Sequence, residues 1–262
     1  MRYLRLLAVQ LRASALLAIQ YRGDFLVDGP ISLLWAGTSL APLFVAYKNP
    51  ATVVEGWSFG EALLVTGWFL LLTGVLEGAI NPSLVSVVDH IRKGTLDFVL
   101  LKPADAQFLV STSRFEPWRM THVFTSILIF VYGFVTLHRM PSVPGIASAL
   151  LLLLSSTLLL YSLWILTVSA AFYVVKVDNL TYLFNSLFDL ARWPSSFFQG
   201  VLRFIFTAVV PLALMTTFPA EAMLNRLHAS SLLFAIGGSL LFALLARLVW
   251  TRSIGHYTSA SS

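Results

Sequence analysis

Six stretches of this sequence, residues 26–47, 59–80, 120–137, 146–175, 201–218 and 230–250, are apolar for the length of a membrane span. About 20 such residues cross roughly 30 Å of hydrocarbon. No water is available there, so the backbone must satisfy itself as helices or as a closed barrel. A barrel reads as segments of about ten residues that alternate in and out. Here Leu runs without alternation through 150–154 and 158–160. The chain is therefore expected to be an all-α integral membrane protein with six transmembrane helices, in a single domain over 1–262. The fourth run is long enough to tilt. Pro211 should kink the fifth, where neighbouring helices can satisfy the freed carbonyl.

Charge fixes an expected orientation. Only 11% of the residues are charged and the net charge is +5, too little charge to cover a soluble globule. With both termini in the cytoplasm, fourteen of the 17 Lys and Arg fall inside, and Lys48, Arg139 and Arg226 fall outside. Cytoplasmic loops collect basic residues in this way, which explains the positive charge better than a nucleic-acid partner does. Most of the seven Trp sit near predicted span ends, as in an interfacial belt, although Trp35, Trp68 and Trp164 also suit ordinary packing.

Residues 1–24 are expected to lie on the membrane surface as an amphipathic helix. Arg2, Arg5, Arg12 and Gln20 share one face and Leu4, Leu7, Leu11, Ala15 and Ala18 the other. A cleaved signal peptide is the rival, and Arg12 interrupts its apolar core. The longest polar connection, 81–118, is expected to be cytosolic: a short helix near 83–91, a break at Gly94 and a stop at Lys102-Pro103. A second cytosolic piece is expected over 176–198, containing Lys176 and Arg192. The loop 219–228 should form a small outer helix with Glu221 and Arg226 facing water.

The motifs of soluble chemistry are missing. No GxxxxGK[ST] phosphate loop, GxSxG elbow or HExxH pair occurs. There is no cysteine, and His90, His122, His138, His228 and His256 are scattered. No catalytic, cofactor or metal site is expected, so any ATP hydrolysis belongs to another chain. Ionisable residues in spans are costly and invite a functional reading; those here are Asp28, Glu61, Glu77 and Arg247. Glu77 is the candidate for gating, near the inner end of the second span, with Pro211 a second. So few buried charges argue against a proton-coupled carrier or a charged pore. Gly74-x-x-x-Gly78, with Gly67 a heptad earlier, should let another helix approach closely.

One segment, Ile91-Arg92-Lys93-Gly94-Thr95-Leu96-Asp97-Phe98-Val99-Leu100-Leu101-Lys102-Pro103, resembles the membrane subunits of type-two ABC exporters, in the bacterial branch of about 260 residues. Ala191-Arg192-Trp193-Pro194, Val210-Pro211, Phe218-Pro219-Ala220 and Trp250 with Gly255 and Tyr257 extend the likeness over nearly the whole chain. Lys102 departs from it, since Arg is common there. The resemblance implies a permease that pairs with itself or a related permease in the bacterial inner membrane, among membrane lipids. Two cassette ATPases dock below, and the substrate is unspecified. It implies that the segment after the second span is a coupling helix, with His90, Arg92, Gly94, Leu96 and Asp97 as its ATPase contacts. Two rivals remain. An ATP-independent carrier or channel would work without a partner, and a membrane-embedded lipid-modifying enzyme would need a constellation of polar residues at one depth.

Overall fold

The computed structural model describes residues 2–20, 22–48, 53–173 and 178–257. Lys176, counted above as inward-facing, and Val175 lie outside the described residues, as does the side chain of Asp28. The described residues are almost all helical, and no strand occurs among them. In order they form α1 (Arg2–Gln20), α2 (Arg22–Ala46), α3 (Phe59–Arg92), α4 (Asp97–Leu100), α5 (Ala106–Ser111), α6 (Pro117–Leu137), α7 (Val143–Phe172), α8 (Asp178–Phe188), α9 (Gly200–Phe204), α10 (Phe218–Met223) and α11 (Ala229–Ile254). Five helices, α2, α3, α6, α7 and α11, are long and apolar enough to cross a membrane.

The bundle has two distinct ends. At one lie α1, residues 92–116 and the tail of α11, with Arg2, Arg5, Arg12, Arg92, Lys93, Lys102, Arg114 and Arg252. The opposite end holds the Val54–Trp57 turn, the Ser142–Asn225 contact (2.5 Å) and the Glu61–Arg226 pair (2.5 Å).

Helix α3 is longer than expected. The apolar run stops near Ile80, yet the helix continues unbroken for 34 residues to Arg92, about 51 Å at 1.5 Å per residue. Pro82 does not end it. Proline lacks the N–H that would bond the carbonyl four residues back, here that of Gly78. The backbone widens into a π-helical turn at Leu76–Ile80, and Glu116 N–H donates to the Gly78 carbonyl at 2.8 Å. The absent partner is supplied from the entrance to α6.

Helices α3 and α6 pack along the glycine face. A methyl group at Gly67 would stand 2.6 Å from the Phe130 ring, and one at Gly74 would stand 3.1 Å from His122 Cβ. At Gly78 it would meet Arg119 Cβ at 3.4 Å. All three approaches are within one chain. Helix α11 lies along α7 with Ala235, Ser239, Ala246, Trp250 and Ser253 buried. Its other face, with Leu233, Leu240, Leu244 and Leu248, is exposed as lipid-facing residues are. Trp250 is buried against Phe172 rather than set in a belt.

The region 178–223 departs most from expectation. The described part of the supposed second cytosolic piece runs up through the bundle. Phe184 packs on Trp164 (4.7 Å) and Phe188 on Phe69 (5.4 Å). Thr66 bonds the Arg192 carbonyl at 3.3 Å, and Ser196 reaches the Glu55 carbonyl of the opposite end at 3.4 Å. The apolar run 201–218 does not pass from end to end. Helix α9 continues through a π-helical turn (Ile205–Val209) and breaks at Val210, whose φ is −117° and ψ 83°. After Pro211 the chain returns through a second π-helical turn (Ala213–Thr217) and α10 to Asn225. Pro211 thus separates two short legs instead of kinking one span. Arg192 and Arg203 accordingly leave the basic end, which keeps its excess without them.

Candidate functional site

The segment expected to couple is a rigidly closed turn. Helix α3 ends on Gly94, whose φ of +66° favours glycine. Thr95 N–H bonds the His90 carbonyl at 2.9 Å and Gly94 N–H bonds that of Ile91 at 3.2 Å, the paired bonds of a Schellman closure. His90 Nδ1 meets Thr95 Oγ1 at 2.7 Å across the same turn. The apolar run that follows splits by direction. Leu96 is fully buried and plugs α4 onto the bundle, while Phe98 and Leu101 are 70% and 81% exposed. Arg92, Lys93 and Lys102 surround them on the surface.

Within this chain Leu96 anchors the turn to the bundle. The residues that project were not singled out in the sequence, because the spacing of Leu96, Phe98 and Leu101 does not say which side faces the bundle. His90, Arg92, Gly94 and Asp97 do cluster at the turn.

The chain leaving α4 is fastened at several points. Asp105 caps α5, accepting from Phe108 N–H at 3.0 Å. It also takes a two-pronged bond from Arg247 of α11, at 2.6 and 3.2 Å. That bond holds the Asp105 carboxyl below the usual carboxylate range. Arg247 also donates to Gln107, which bonds the Tyr161 hydroxyl of α7 at 3.0 Å. Ser83 of α3 exchanges bonds with the backbone of Arg114 at 2.6 and 3.0 Å. Helix α1 closes the outside. Arg2 donates to the Pro103 carbonyl, Tyr3 packs on Phe108 (4.9 Å), and Thr112 donates to Gln10 at 2.5 Å. Phe115 N–H donates to Ser14, the buried residue of that helix.

Glu77 occupies the π-helical turn of α3. Its carboxylate lies 3.1 Å from Arg119 and 3.4 Å from His122, both on α6. Arg119 also approaches Glu116 at 3.5 Å. Across a cavity of about 600 Å³, Arg192 pairs with Asp189 at 3.1 Å and lies 5.1 Å above the Phe69 ring. Pro211 is not among this group. Of the two residues expected to face water, Arg226 is exposed but pairs with Glu61 at 2.5 Å, and Glu221 is partly buried.

Apolar helices that traverse the bundle, a basic end and a fastened turn after the second of them define a multi-pass membrane protein. Residues 33–261 match the family described as ABC-2 family transporter protein. The chain belongs to that family, and is a permease of an ABC transporter. Membership implies association with ABC ATPase subunits. Helix α1 lies before the matched residues. No curated protein and no solved structure matches the chain.

Proposed function

We propose that the chain is the membrane subunit of an exporter in a bacterial inner membrane, paired with a second copy or a related permease above two cassette ATPases. The basic end faces the cytosol, as loop charge requires. The chain crosses six times, with the sixth crossing supplied by the 178–197 region. Export as the direction rests on the family resemblance.

One observation carries the assignment of the docking surface. Phe98 and Leu101 project from a closed turn at the tip of a 34-residue helix. Exposed apolar residues rimmed by charge mark protein contacts. ATPase closure pushes on this pair, and α3 carries the displacement into the bundle. Leu96 transmits force by anchoring the turn. Arg92 and Asp97 shape its charged rim.

Co-purification of the tagged permease with candidate cassette ATPases tests the reading. Phe98→Asp with Leu101→Asp is expected to abolish recruitment while leaving the chain folded in detergent. A folded wild-type chain that recruits no ATPase, yet moves solute in liposomes by itself, would refute it in favour of a carrier.

A further inference from the structure

We propose that the cavity between α2, α3, α6 and the 178–192 segment is a head-group site for an amphiphile carrying a phosphate or carboxylate. The inference rests on reading the chain as a transport subunit, and names the class of molecule handled.

The cavity has a charged side and an apolar side. Glu77 lies 18 residues after Phe59 on α3, about 27 Å along the helix, and Phe69 about 15 Å. In roughly 30 Å of hydrocarbon, Glu77, Arg119 and His122 sit at the inner head-group level, while Phe69 and the Arg192 guanidinium stacked on it lie nearer the midplane. Ile31, Trp35 and Leu70 continue the apolar wall. Trp35 is 69% exposed, so the wall is open at the α2 side. A head group among the charges with its chain along α2 fits this division.

The two acids and two arginines that line the cavity balance in charge, so what favours an anion is the hydrogen-bonding groups left over. Glu77 is already met by Arg119 and His122, and Asp189 by Arg192. What remains unspent is hydrogen-bonding capacity on Arg192 and His122. Arg192 commits Nε and one terminal nitrogen to its own turn, at 2.8 and 3.1 Å from Asp189. Its other terminal nitrogen has no protein partner among the described residues. His122 is 5% exposed and its Nδ1 has no hydrogen-bond partner. A guanidinium fork matches phosphate or carboxylate geometry. Stacking on Phe69 holds that fork in place. Buried ion pairs are often replaceable by apolar residues without loss of stability. Charges around an open cavity in a span mark instead a path for substrate.

The test is binding to the purified permease in uncharged detergent, without ATPase. The probe is fluorescent short-chain phosphatidic acid, compared with the diacylglycerol of the same chains and with inorganic phosphate as competitor. Phosphatidic acid is expected to bind at least about tenfold more tightly than the diacylglycerol, the size of one charge-assisted contact. Arg192→Gln should remove about that factor, Arg192→Lys should fall between, and Arg139→Gln at the opposite end should change nothing. Millimolar phosphate should not displace the lipid. Equal binding of the two lipids, wild-type binding by Arg192→Gln, or displacement by phosphate alone would overturn the proposal. Because the ATPase is absent, failure here is separate from failure of recruitment through Phe98 and Leu101.

Discussion

Asp105 has two separable duties, and removing them one at a time measures how firmly the last span is strapped to the segment after α4. It caps α5 through Phe108 N–H, and it pairs with Arg247 at 2.6 and 3.2 Å. An N-cap is worth about 1 kcal/mol. The pair is one third exposed at Asp105 and nearly half at Arg247, so screening holds it to about 0.5–1 kcal/mol. Asp105→Asn keeps the cap and loses the pair; Asp105→Ala loses both. Amide exchange of α5 in detergent should accelerate about 2–5-fold in the first and about 10–30-fold in the second, at 1.4 kcal/mol per tenfold. Arg247→Gln, which also loses the bond to Gln107, should cost at least as much as Asp105→Asn, and the double variant should cost little more than Arg247→Gln alone. The carboxyl titrates lower in the folded chain than in the unfolded one. The stabilisation is therefore complete above the unfolded value, about 3.9, and is lost as pH falls through the lower folded value. After correction for intrinsic rates, wild-type protection should be flat from neutral pH to about 5 and fall in strong acid, and Asp105→Asn should lack that acid limb. Equal exchange in Asn and Ala variants would refute the cap, and an unchanged Arg247→Gln would refute the strap.

Gly74→Leu should cost about 1–3 kcal/mol by overpacking, since even a methyl there stands 3.1 Å from His122 Cβ and 3.2 Å from Val123; an unchanged thermal midpoint in detergent would contradict the close α3–α6 contact. Gly94→Val forces a β-branched residue to a φ of +66°, at a cost of about 1–3 kcal/mol. Limited trypsin cleavage after Arg92 and Lys93 should then quicken, and Gly94→Asn should be milder. Pro82→Ala restores an N–H that competes for the Gly78 carbonyl, so the Glu116 amide, now bonded there at 2.8 Å, should exchange faster. If its protection stays the same, the proline is not what opens that carbonyl.

The sequence shows most clearly those elements whose apolar run and helix coincide. Helices α2, α6, α7 and α11 are of this kind, and Gly94 ends α3 as its freedom at positive φ demands. Legibility fails where tertiary contacts overrule composition. Asp189 and Arg192 make 178–192 look cytosolic, but they satisfy each other inside the bundle and turn a polar edge to the cavity. The run 201–218 is apolar enough to span, yet Val210-Pro211 opens the backbone and two short legs result. The second span and the short helix expected near 83–91 are one helix, because the Gly78 carbonyl that Pro82 leaves open is met by Glu116 N–H, 38 residues further along. The Asp105–Arg247 strap joins residues far apart along the chain, and no local pattern announces it. The Glu77 cluster was half visible: the acid stood out inside a span, while Arg119 and His122 could be placed beside it only by folding.

That α3 is one helix decides what can be transmitted along it. Were 81–92 a separate helix, a push at Phe98 and Leu101 would be absorbed in a loop. Instead the turn that carries them is closed onto α3 by the Thr95–His90 and Gly94–Ile91 bonds. On the coupling proposed above, a displacement there would travel up a continuous rod until it reached the point where the rod is weakest. That point is the π-helical turn at Leu76–Ile80, where the hydrogen-bond ladder is irregular and Pro82 contributes no donor. Glu77 sits on that turn. Bending it alters the distances from Glu77 to Arg119 and His122 before anything nearer the opposite end is disturbed. Glu116 holds the Gly78 carbonyl on the same turn and approaches Arg119 through its carboxylate. The entrance to α6 must therefore follow α3 as it bends. On that proposal the moving unit at this level is the pair α3–α6, and the charged wall of the cavity is where its motion would be felt first.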